Sequence, residues 1–500
     1  MNASSFRPIY PSASIRELES AAPAGAVSLM ERAGLAAAQY AQALLGEPAS
    51  HPGRSVLVVA GPGNNGGDAF EAAVHLKRNF FRVTVVFAGD PARLPTDARK
   101  AFDKWTASGA GCTADIAEPA QCDLIIDGLF GIGLTRPLSG AHAALVEKMN
   151  RLGRPILALD VPSGLNSDTG AVMGVAVRAS HTLTFIALKP GLLTLDGPDC
   201  CGALRVDALG LDPVALLAPQ GRLLNVSVMG ALPRRPANFH KGMAGQVAVI
   251  GGAEGMLGAV LLAARAALKT GAGKVFAGFL SANAPDFDPI QPELMMRSPE
   301  HCMAASTVLL LGPGMGTGAA AAALLRTALA GDKPLVLDAD ALNLLATDSS
   351  LSAQLASRPA ATLLTPHPAE AARLLGATTA EVQRDRIAAA KALAARHGCF
   401  TLLKGNGSVL AEASGAWWIN SSGNPGMASA GMGDTLSGML AALLAQRMAP
   451  AAALRLAVWA HGAGADELCA DGRGPLGITA SEVIDQTRLI LNRRRSGPST

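Results

Sequence analysis

The sequence GPGNNGGD, Gly61 to Asp68, decides the fold of the first half of this chain. The apolar run SVLVVA at residues 55–60 predicts a buried strand before it, and EAAVHLKRN at residues 71–79 has helical spacing after it. The stretch is therefore a strand-to-helix turn, where free N–H groups and the helix dipole attract anions. We expect its four glycines to take left-handed backbone angles and to let the backbone approach a ligand.

A plainer interpretation of this turn stays open. Gly61, Gly63 and Gly66 match the pattern G-x-G-x-x-G, and Asp90 follows a second strand at about the distance that a Rossmann dehydrogenase needs. That pattern alone has little specificity. The adjacent Asn64 and Asn65, with Asp68, are not part of an ordinary pyrophosphate fingerprint, and they favour a more specialised site.

Strands and helices alternate through the rest of the first half. Apolar runs at residues 56–59, 83–87, 124–126, 156–159 and 183–186 predict strands separated by helical segments. This order is typical of a parallel, doubly wound sheet. Ligands of such sheets bind at the carboxyl ends of the strands.

Polar, glycine-rich loops follow three of these strands: residues 61–68, DGLFGIGLTRP at 127–137, and DVPSGL at 160–165. A single aspartate at a strand end is often only a turn former, but three such loops together favour a site. Arg136 and the glycines before it can hold a phosphate. Asn65, Asp127 and Ser163 offer hard oxygen ligands for a group I or II cation, and Asp160 is a candidate general base.

These loops resemble the NAD(P)H-hydrate epimerases over roughly residues 10–215, with one departure, because Ala69 stands where that family usually has glycine. The resemblance implies that potassium is held by Asn65, Asp127 and Ser163, and that Asp160 is catalytic. It also implies a set of residues that bind the hydrated nucleotide: Asn64, Asn65, Gly66, Gly67, Asp68, Gly131, Ile132, Gly133, Leu134, Thr135, Arg136, Pro137 and Asp160.

A proline-punctuated stretch, residues 211–241, separates two periodic halves and predicts a domain boundary near residue 225. We therefore expect domains at residues 10–222 and 226–495. In the second half, predicted strands at residues 246–250, 308–311, 335–337, 362–364 and 401–403 each end in a polar or glycine-rich loop. This half is again expected to be α/β.

The most informative string of the second half is NPGMASAGMGDTLSG, residues 424–438. Gly431 and Gly433 free a helix N-terminus, and we expect Asp434 to cap it. Free N–H groups there make an anion hole for a transferring phosphoryl group, and Asp434 can deprotonate an attacking hydroxyl. An aspartate that only caps a helix is the alternative.

This string resembles the G-x-G-D motif of the ribokinase-like superfamily. The HKG, GGxxGxxGA, GPGxG, TPHPxE and KGxxS segments narrow the resemblance to the ADP-dependent NAD(P)H-hydrate dehydratases, over roughly residues 230–492. Ala369 and the pair Ser429-Ala430 depart from the usual residues.

That resemblance implies that the hydrate contacts Gly314, His367 and Asp434, with Asp434 as the catalytic base. His367 alone is more often a structural histidine. Mg²⁺ is expected to accompany ADP. The implied adenine-nucleotide ligands are Lys404, Gly405, Asn406, Gly407, Ser408 and Gly433.

Together the two resemblances imply a two-domain α/β enzyme, with a Rossmann-like doubly wound domain followed by a ribokinase-like α/β/α domain. The resemblance implies that the first domain epimerises the R and S hydrates of NADH and NADPH (NADHX and NADPHX). It implies that the second domain dehydrates the S form with ADP, giving AMP and phosphate. Two alternatives stay open: a ribokinase-like small-molecule kinase in the second half, and a non-catalytic nucleotide-binding domain in the first.

Composition narrows the possible partners. The net charge is +3, and 16% of residues are charged, with no Lys/Arg stripe, so we expect no nucleic acid. Seven cysteines without a C-x-x-C pair predict free buried thiols in a reducing cytoplasm. No apolar run predicts a membrane span. Apolar helices of low charge suit a homo-oligomer.

Overall fold

The computed structural model describes residues 6–23, 27–46, 53–117 and 121–493. The described residues divide into two compact units, one of residues 8–221, and one of residues 222–493 together with Phe6 and Arg7. The domain limits expected from the sequence, 10–222 and 226–495, stay predictions, and residue 495 lies outside the described residues.

Helices separate most of the strands through residue 223, as the sequence pattern predicts, but residues 160–180 join two strands without a helix, contrary to that prediction. Short 3₁₀ turns add Pro91–Arg93 and Pro190–Leu192. The elements are β1 (Arg7–Ile9), α1 (Ser12–Ser20), α2 (Leu29–Leu45), β2 (Ser55–Ala60), α3 (Asn64–Arg78), β3 (Arg82–Phe87), α4 (Thr96–Ala107), β4 (Cys112–Thr113), β5 (Leu124–Gly128), α5 (Gly140–Arg151), β6 (Ile156–Leu159), β7 (His181–Phe185), α6 (Gly197–Cys201), β8 (Ala203–Asp207), α7 (Pro213–Leu216) and β9 (Gly221–Leu223).

The sheet of the first unit is parallel throughout, in the order β4-β3-β2-β5-β6-β7-β8. Side chains alternate between its faces: Val56 and Val58 share a core with helices α2 to α4, whereas Leu57 and Val59 pack with Leu145 of α5. The predicted doubly wound sheet is confirmed. The order reverses between β2 and β5, which is where such sheets bind ligands.

Helix α3 begins earlier than the sequence pattern predicts. Its first residue is Asn64 rather than Glu71, with Gly63 as N-cap. The two asparagines therefore form the first turn of the helix, and Asp68 lies in its second turn. The apolar periodicity missed this start because the first turn faces a polar crevice rather than the core. Ala69 packs its methyl group against Gly128, where a Cβ would lie only 2.5 Å away.

The second unit is also built of helices and strands. Its 3₁₀ turns are Val226–Ala231 and Pro425–Met427. The elements are β10 (Gln246–Gly251), α8 (Leu257–Lys269), β11 (Lys274–Phe279), β12 (Met295–Arg297), α9 (Pro299–Ala305), β13 (Val308–Leu311), α10 (Ala319–Ala330), β14 (Leu335–Leu337), α11 (Asp340–Thr347), α12 (Ser349–Ala356), β15 (Thr362–Leu364), α13 (Pro368–Leu375), α14 (Thr379–Arg384), α15 (Arg386–His397), β16 (Phe400–Leu403), β17 (Ser408–Ala411), β18 (Trp417–Asn420), α16 (Met432–Ala445), α17 (Pro450–Ala470) and α18 (Ala480–Arg493).

The strands of the second unit pair in the order β12-β11-β10-β13-β14-β15-β16-β17-β18. Pairing is parallel from β12 to β16, and β17 and β18 add an antiparallel meander at one side. Val247 and Val249 share a core with residues of α8, α16 and α17, including Ala263, Leu440 and Ala457. The α/β prediction is confirmed for this unit as well.

Two expectations from the composition concern membrane spans and cysteines. Among the described residues, no helix is both long and apolar enough to cross a membrane. All seven cysteines are free thiols, and five of them are buried, whereas Cys112 and Cys469 are half-buried.

Candidate active sites

The first candidate site lies where the strand order of the first unit reverses. The loops that follow β2 and β5 meet there, since the carboxyl ends of these parallel neighbours lie side by side. A Cβ on Gly61 would lie 1.7 Å from the Leu129 carbonyl oxygen, and a Cβ on Gly128 would lie 3.0 Å from the Asn65 carbonyl oxygen. The two loops are therefore in direct contact.

Three of the four glycines in residues 61–67 allow close packing against neighbouring atoms. A Cβ on Gly66 would lie 1.9 Å from the Gly61 carbonyl oxygen, and a Cβ on Gly67 would lie 2.5 Å from Met30. The predicted left-handed angles are wrong, because Gly61, Gly63, Gly66 and Gly67 all lack a positive φ. Gly63 alone of the four has open space at its Cβ position, with no atom within 4 Å.

Asp127 and Ser163 form a buried polar pair below the crevice. Asp127 is the fourth residue of β5 rather than the first residue after it. The Ser163 hydroxyl donates to Asp127 Oδ1 at 2.6 Å, and the Ser163 backbone N–H donates to Oδ2 at 2.8 Å. Burial raises the pKa of Asp127 to about 6, despite these hydrogen bonds.

Asn65 is the polar group of this site that lacks partners. Its side chain is 8% exposed, and among the described residues neither amide atom has a hydrogen-bond partner. A Cβ on Gly131 would lie 3.4 Å from Asn65 Cγ and 2.7 Å from Asp160 Oδ2. The structure thus brings together Asn65 from the first turn of α3, Gly131 from the loop after β5 and Asp160 from the end of β6.

Asp160 is held from two sides. The Lys189 ammonium donates to its Oδ1 at 2.5 Å, and the Ile132 backbone N–H donates to its Oδ2 at 3.2 Å. Asp160 has φ of +63°, a left-handed conformation that is unusual for a residue with a side chain. Its carboxylate is therefore fixed at the rim, toward the glycine-rich loop after β5.

The remaining predicted hydrate ligands of the first site lie on α3 and in the loop after β5. Asp68 is half-buried on α3, and burial together with the neighbouring Asp160 carboxylate raises its pKa well above the usual value. Asn64 is exposed at the helix start, beside the packed glycines of its first turns. In the loop after β5, Gly133, Thr135, Arg136 and Pro137 are exposed, whereas Ile132 and Leu134 are half-buried.

The second candidate site centres on an aspartate that follows β14. Asp338 is buried, and its Oδ1 accepts from the Lys404 ammonium at 2.8 Å, while its Oδ2 accepts from the Ser437 hydroxyl at 3.0 Å. Burial raises the pKa of Asp338, but the charge and hydrogen bond of Lys404 outweigh that effect and hold it below the usual value. The same carboxylate helps to hold the pKa of Lys404 above its usual value, against burial.

Asp434 lies in the first turn of α16, next to this pair. The prediction that Asp434 caps the helix is wrong, because the N-cap is Gly431, with φ of +87°, and Asp434 is the third helical residue. Burial, and then the Asp338 carboxylate, raise the pKa of Asp434 to about 6. A Cβ on Gly433 would lie 3.2 Å from Lys404 Nζ, so the ammonium lies over the helix N-terminus.

His367 is the N-cap of α13. Its Nδ1 accepts from the backbone N–H groups of Ala369 at 3.1 Å and Glu370 at 3.4 Å, which leaves the proton on Nε2. Burial and the nearby Lys404 charge lower the pKa of His367. The structural role left open by the sequence is therefore present, and a hydrate contact through the exposed ring stays a prediction.

Gly314 belongs to the loop after β13 and has φ of +56°. A Cβ there would lie 2.6 Å from the Cβ of Met256, and the Gly314 carbonyl accepts from the Ala253 N–H at 2.6 Å. The glycine thus seats its loop on the loop after β10. A side chain at position 314 would separate these two neighbouring loops.

The predicted nucleotide segment, residues 404–408, joins β16 to β17. Gly405 and Gly407 have φ of +141° and +61°, and the Ser408 hydroxyl donates to the Gly405 carbonyl at 2.9 Å. Asn406 is exposed in the middle of the turn. The structure brings Lys404 to Gly433, and it closes the rest of the segment into a tight turn.

The sequence reasoning missed two residues that hold the sites. Lys189 begins the segment Lys189-Pro190-Gly191, which follows β7, and no role was assigned to it. Asp338 directly follows the predicted strand at residues 335–337, and no role was assigned to it either. A strand-end position is a weak signal by itself, and partners distant in sequence became visible only in the folded chain.

Comparison with known proteins covers nearly the whole chain. The family described as YjeF-related protein N-terminus matches residues 26–191, and the NAD(P)H-hydrate dehydratase family matches residues 247–488. The bifunctional NAD(P)H-hydrate repair enzyme of Coxiella burnetii is 39% identical, over 97% of this chain and 99% of its own length. That of Escherichia coli is 39% identical, over 93% of this chain and 89% of its own length.

A solved structure matches the second half. The ADP/ATP-dependent NAD(P)H-hydrate dehydratase of Bacillus subtilis, co-crystallised with ATP and Mg²⁺, is 32% identical, over 53% of this chain and 96% of that chain, with a TM-score of 0.48.

Proposed function

Because this chain belongs to the family of bifunctional NAD(P)H-hydrate repair enzymes, we propose that the crevice around Asp160 epimerises the hydrates and that the crevice around Asp434 dehydrates the S form. The chain is an enzyme with an epimerase half and a dehydratase half. The assignment of residues to the two reactions is our proposal.

In the dehydratase half, Asp434 is the proposed base. It takes the proton of the hydrate's hydroxyl group, whose oxygen then attacks the terminal phosphorus of ADP and releases AMP. The phosphate leaves with the electrons of its carbon–oxygen bond, and a proton lost from the adjacent carbon restores the ring double bond. A pKa of about 6 supports this role, since a base near the working pH is both deprotonated and basic.

Lys404 and the first turn of α16 are the proposed phosphate ligands. The ammonium lies next to Gly433, where the helix dipole also attracts anions. We propose that residues 404–408 and Gly433 hold ADP, that Gly314 and His367 contact the hydrate, and that Mg²⁺ neutralises part of the phosphate charge, as it does in other phosphoryl transfers.

In the epimerase half, Asp160 is the proposed acid–base residue at the hydroxylated carbon. Its fixed carboxylate at the rim supports this role. We propose that the other predicted hydrate ligands of α3 and of the loop after β5 contact the hydrate in the same crevice. Burial, and then the Asp160 carboxylate, raise the pKa of the Asp68 carboxyl group well above its usual value, and we propose that Asp68 contacts the hydrate on the same rim.

Asn65, Asp127 and Ser163 fit a potassium ion. The side-chain nitrogen and oxygen of Asn65 are both buried without a hydrogen-bond partner among the described residues. The Asp127 carboxylate is fully buried, and the hydrogen bonds that it accepts from described residues come from Ser163 and from the Leu129 backbone N–H. Hard oxygen ligands of this kind suit an alkali cation. When bound, the ion supplies a fixed positive charge beside the hydrate. The hydrates of NADH and NADPH, the homo-oligomer and the cytoplasmic location remain predictions.

The test follows recovery of the reduced-nicotinamide absorbance from a mixture of R and S hydrates, with ADP, Mg²⁺ and potassium. We expect the unmodified enzyme to recover both forms, Asp160→Asn to recover only the S form, and Asp434→Asn to recover none. Loss of a general base typically costs about 10²- to 10⁴-fold. Full recovery by Asp434→Asn would sink the assignment of the base. Accumulation of a stable phosphorylated product would favour a kinase instead.

A further inference from the structure

The Lys189 side chain is completely buried, so its ammonium group lies in the interior of the first unit. It is 0% exposed, and it donates to Thr184 Oγ1 at 2.8 Å, to the Phe185 carbonyl at 2.7 Å and to Asp160 Oδ1 at 2.5 Å. An ammonium has three N–H donors, so these three acceptors satisfy it completely. Of the three, only Asp160 carries a charge that compensates it.

The acceptors come from two neighbouring strands. Asp160 directly follows β6, whereas Thr184 and Phe185 end β7. Lys189 therefore links the carboxyl ends of both strands below the crevice. The Asp160 backbone N–H also donates to the Leu183 carbonyl at 2.8 Å, which fixes the backbone at the same place.

Asp160 needs such a support. Its left-handed φ of +63° is disfavoured for a residue with a side chain, and such conformations persist where surrounding contacts enforce them. Lys189 takes Oδ1, and the Ile132 N–H takes Oδ2 from the opposite side. The carboxylate is thus held between a buried cation and the glycine-rich loop after β5.

The position of Lys189 is itself fixed by packing. The Gly191 N–H donates to the Ser167 carbonyl at 2.8 Å, and a Cβ on Gly191 would lie 2.1 Å from the Asn166 carbonyl oxygen. The segment after Ser163 and the segment after Lys189 are therefore in direct contact. These contacts anchor the backbone two residues after Lys189.

We propose that Lys189 is a positioning residue of the epimerase site, which acts through Asp160 by holding its carboxylate, as a charged group, at the rim of the crevice. Lys189 has no surface of its own in that crevice, so it acts without touching the hydrate. The proposal rests on the proposed role of Asp160.

The experiment is a double-mutant cycle on the full chain, using Lys189→Met, Asp160→Asn and the double variant. The rate is that of conversion of pure R hydrate to S hydrate, with potassium present, measured by chromatographic separation of the two forms. Lys189→Met is expected to lower kcat about 100-fold and to change KM less than threefold, within the range of a misaligned acid–base group. In the Asp160→Asn background, the same substitution is expected to change kcat less than twofold.

A purely structural role predicts another pattern. The folded fraction of each variant is measured by denaturant unfolding, and the rates are corrected for it. In the Asp160→Asn background, Lys189→Met removes an unpaired buried charge, so stability is expected to rise while activity stays low. Rates that simply follow the folded fraction in all variants would overturn the proposal.

Lys148→Met is the matched control. Lys148 pairs with Asp115 at 2.5 Å in the same unit, but this pair lies at the surface, with 62% of the Asp115 side chain exposed. Its epimerase rate is expected to be unchanged. If Lys189→Met keeps its rate while Asp160→Asn loses it, the proposal fails and the proposed function stands. If Asp160→Asn also keeps its rate, the proposed role of Asp160 fails.

Discussion

The two candidate sites each contain a lysine–aspartate ion pair at the carboxyl ends of parallel strands, but the pairs are oriented in opposite ways. In the first unit, Lys189 is 0% exposed and Asp160 is 12% exposed. In the second unit, Asp338 is 2% exposed and Lys404 is 21% exposed. The first pair therefore presents a carboxylate to its crevice, and the second presents an ammonium.

This difference matches the chemistry of each half. A carboxylate at the rim suits proton transfer and lies in the same crevice as the proposed potassium ligands. An ammonium at the N-terminus of α16 suits the phosphates of a nucleotide. In each pair, the buried member serves as the counter-ion of the member that faces the crevice. One arrangement of strand ends thus presents a carboxylate to one crevice and an ammonium to the other.

The largest expected effect tests this orientation through stability. Removing the exposed member of a pair leaves a buried charge without compensation, which typically costs about 3–5 kcal/mol of unfolding free energy. We expect Lys404→Met to cost this much and Asp338→Asn clearly less, because Lys404 retains access to water. In the first unit, Asp160→Asn is expected to cost more than Lys189→Met.

Denaturant unfolding with tryptophan fluorescence measures these differences. Trp105 reports on the first unit, and Trp417, Trp418 and Trp459 report on the second. Lys148→Met again provides the surface control. If both substitutions in a pair lower the unfolding free energy equally, the orientation of the pair does not determine the stability contributions of its members. That result would contradict the contrast drawn between the two sites.

The second prediction compares the stability effects of alanine at two glycines of the first site. Gly61 is in close contact with a neighbouring loop, and Gly63 has open space at its Cβ position. Gly61→Ala places a methyl group 1.7 Å from the Leu129 carbonyl, and Gly63→Ala places one in open space. We expect Gly61→Ala to cost about 3 kcal/mol or more, the upper range for overpacking. Gly63→Ala is expected to cost less than about 0.5 kcal/mol, as at a surface position.

Unfolding followed by Trp105 fluorescence checks this prediction, and the epimerase rate of Gly63→Ala adds a functional measurement. A large loss of stability in Gly63→Ala would contradict the open space seen at its Cβ position. A stable Gly61→Ala would mean that the loops after β2 and β5 are not in the contact described above.

The smallest effect concerns pH. With a pKa of about 6, Asp434 becomes protonated as the pH falls below that value, and the dehydratase rate is expected to fall about tenfold for each further pH unit. The Asp338 charge contributes to raising that pKa. Asp338→Asn is therefore expected to move the acid limb of kcat/KM, which reports the free enzyme, to lower pH.

Asp348→Asn is a suitable control, because Asp348 is a carboxylate that caps α12 outside the site. The pH profile of kcat/KM for the hydrate is measured for the three enzymes. An acid limb that Asp338→Asn leaves in place would contradict the assignment of this limb to Asp434.

Much of the fold was predictable because it follows from local patterns. Apolar runs in the sequence predicted the strands β2, β3, β5, β6 and β7, and also the core strands of the second unit. Edge strands such as β4 and β12 were missed because short, half-exposed segments lack a distinct pattern. The start of α3 was missed for a related reason, since its first turn serves a crevice and has no apolar face.

The candidate sites were predictable only in part. The loops at strand ends were identified by their glycines and polar residues, and the structure brings Asn65, Gly131 and Asp160 together as expected. The role of the glycines was not predictable, because a close contact between two loops leaves no trace in either loop alone. The sequence also did not show that Gly431, rather than Asp434, is the N-cap of α16.

The sequence by itself determined the class of the two units, the loops that carry polar residues and the family to which the chain belongs. Only the tertiary structure decided which charges meet. Lys189 is 29 residues from Asp160, and Lys404 is 66 residues from Asp338. Burial of one member, and hence the charge that each crevice presents, depends on the elements packed around the pair, and no local pattern records that packing.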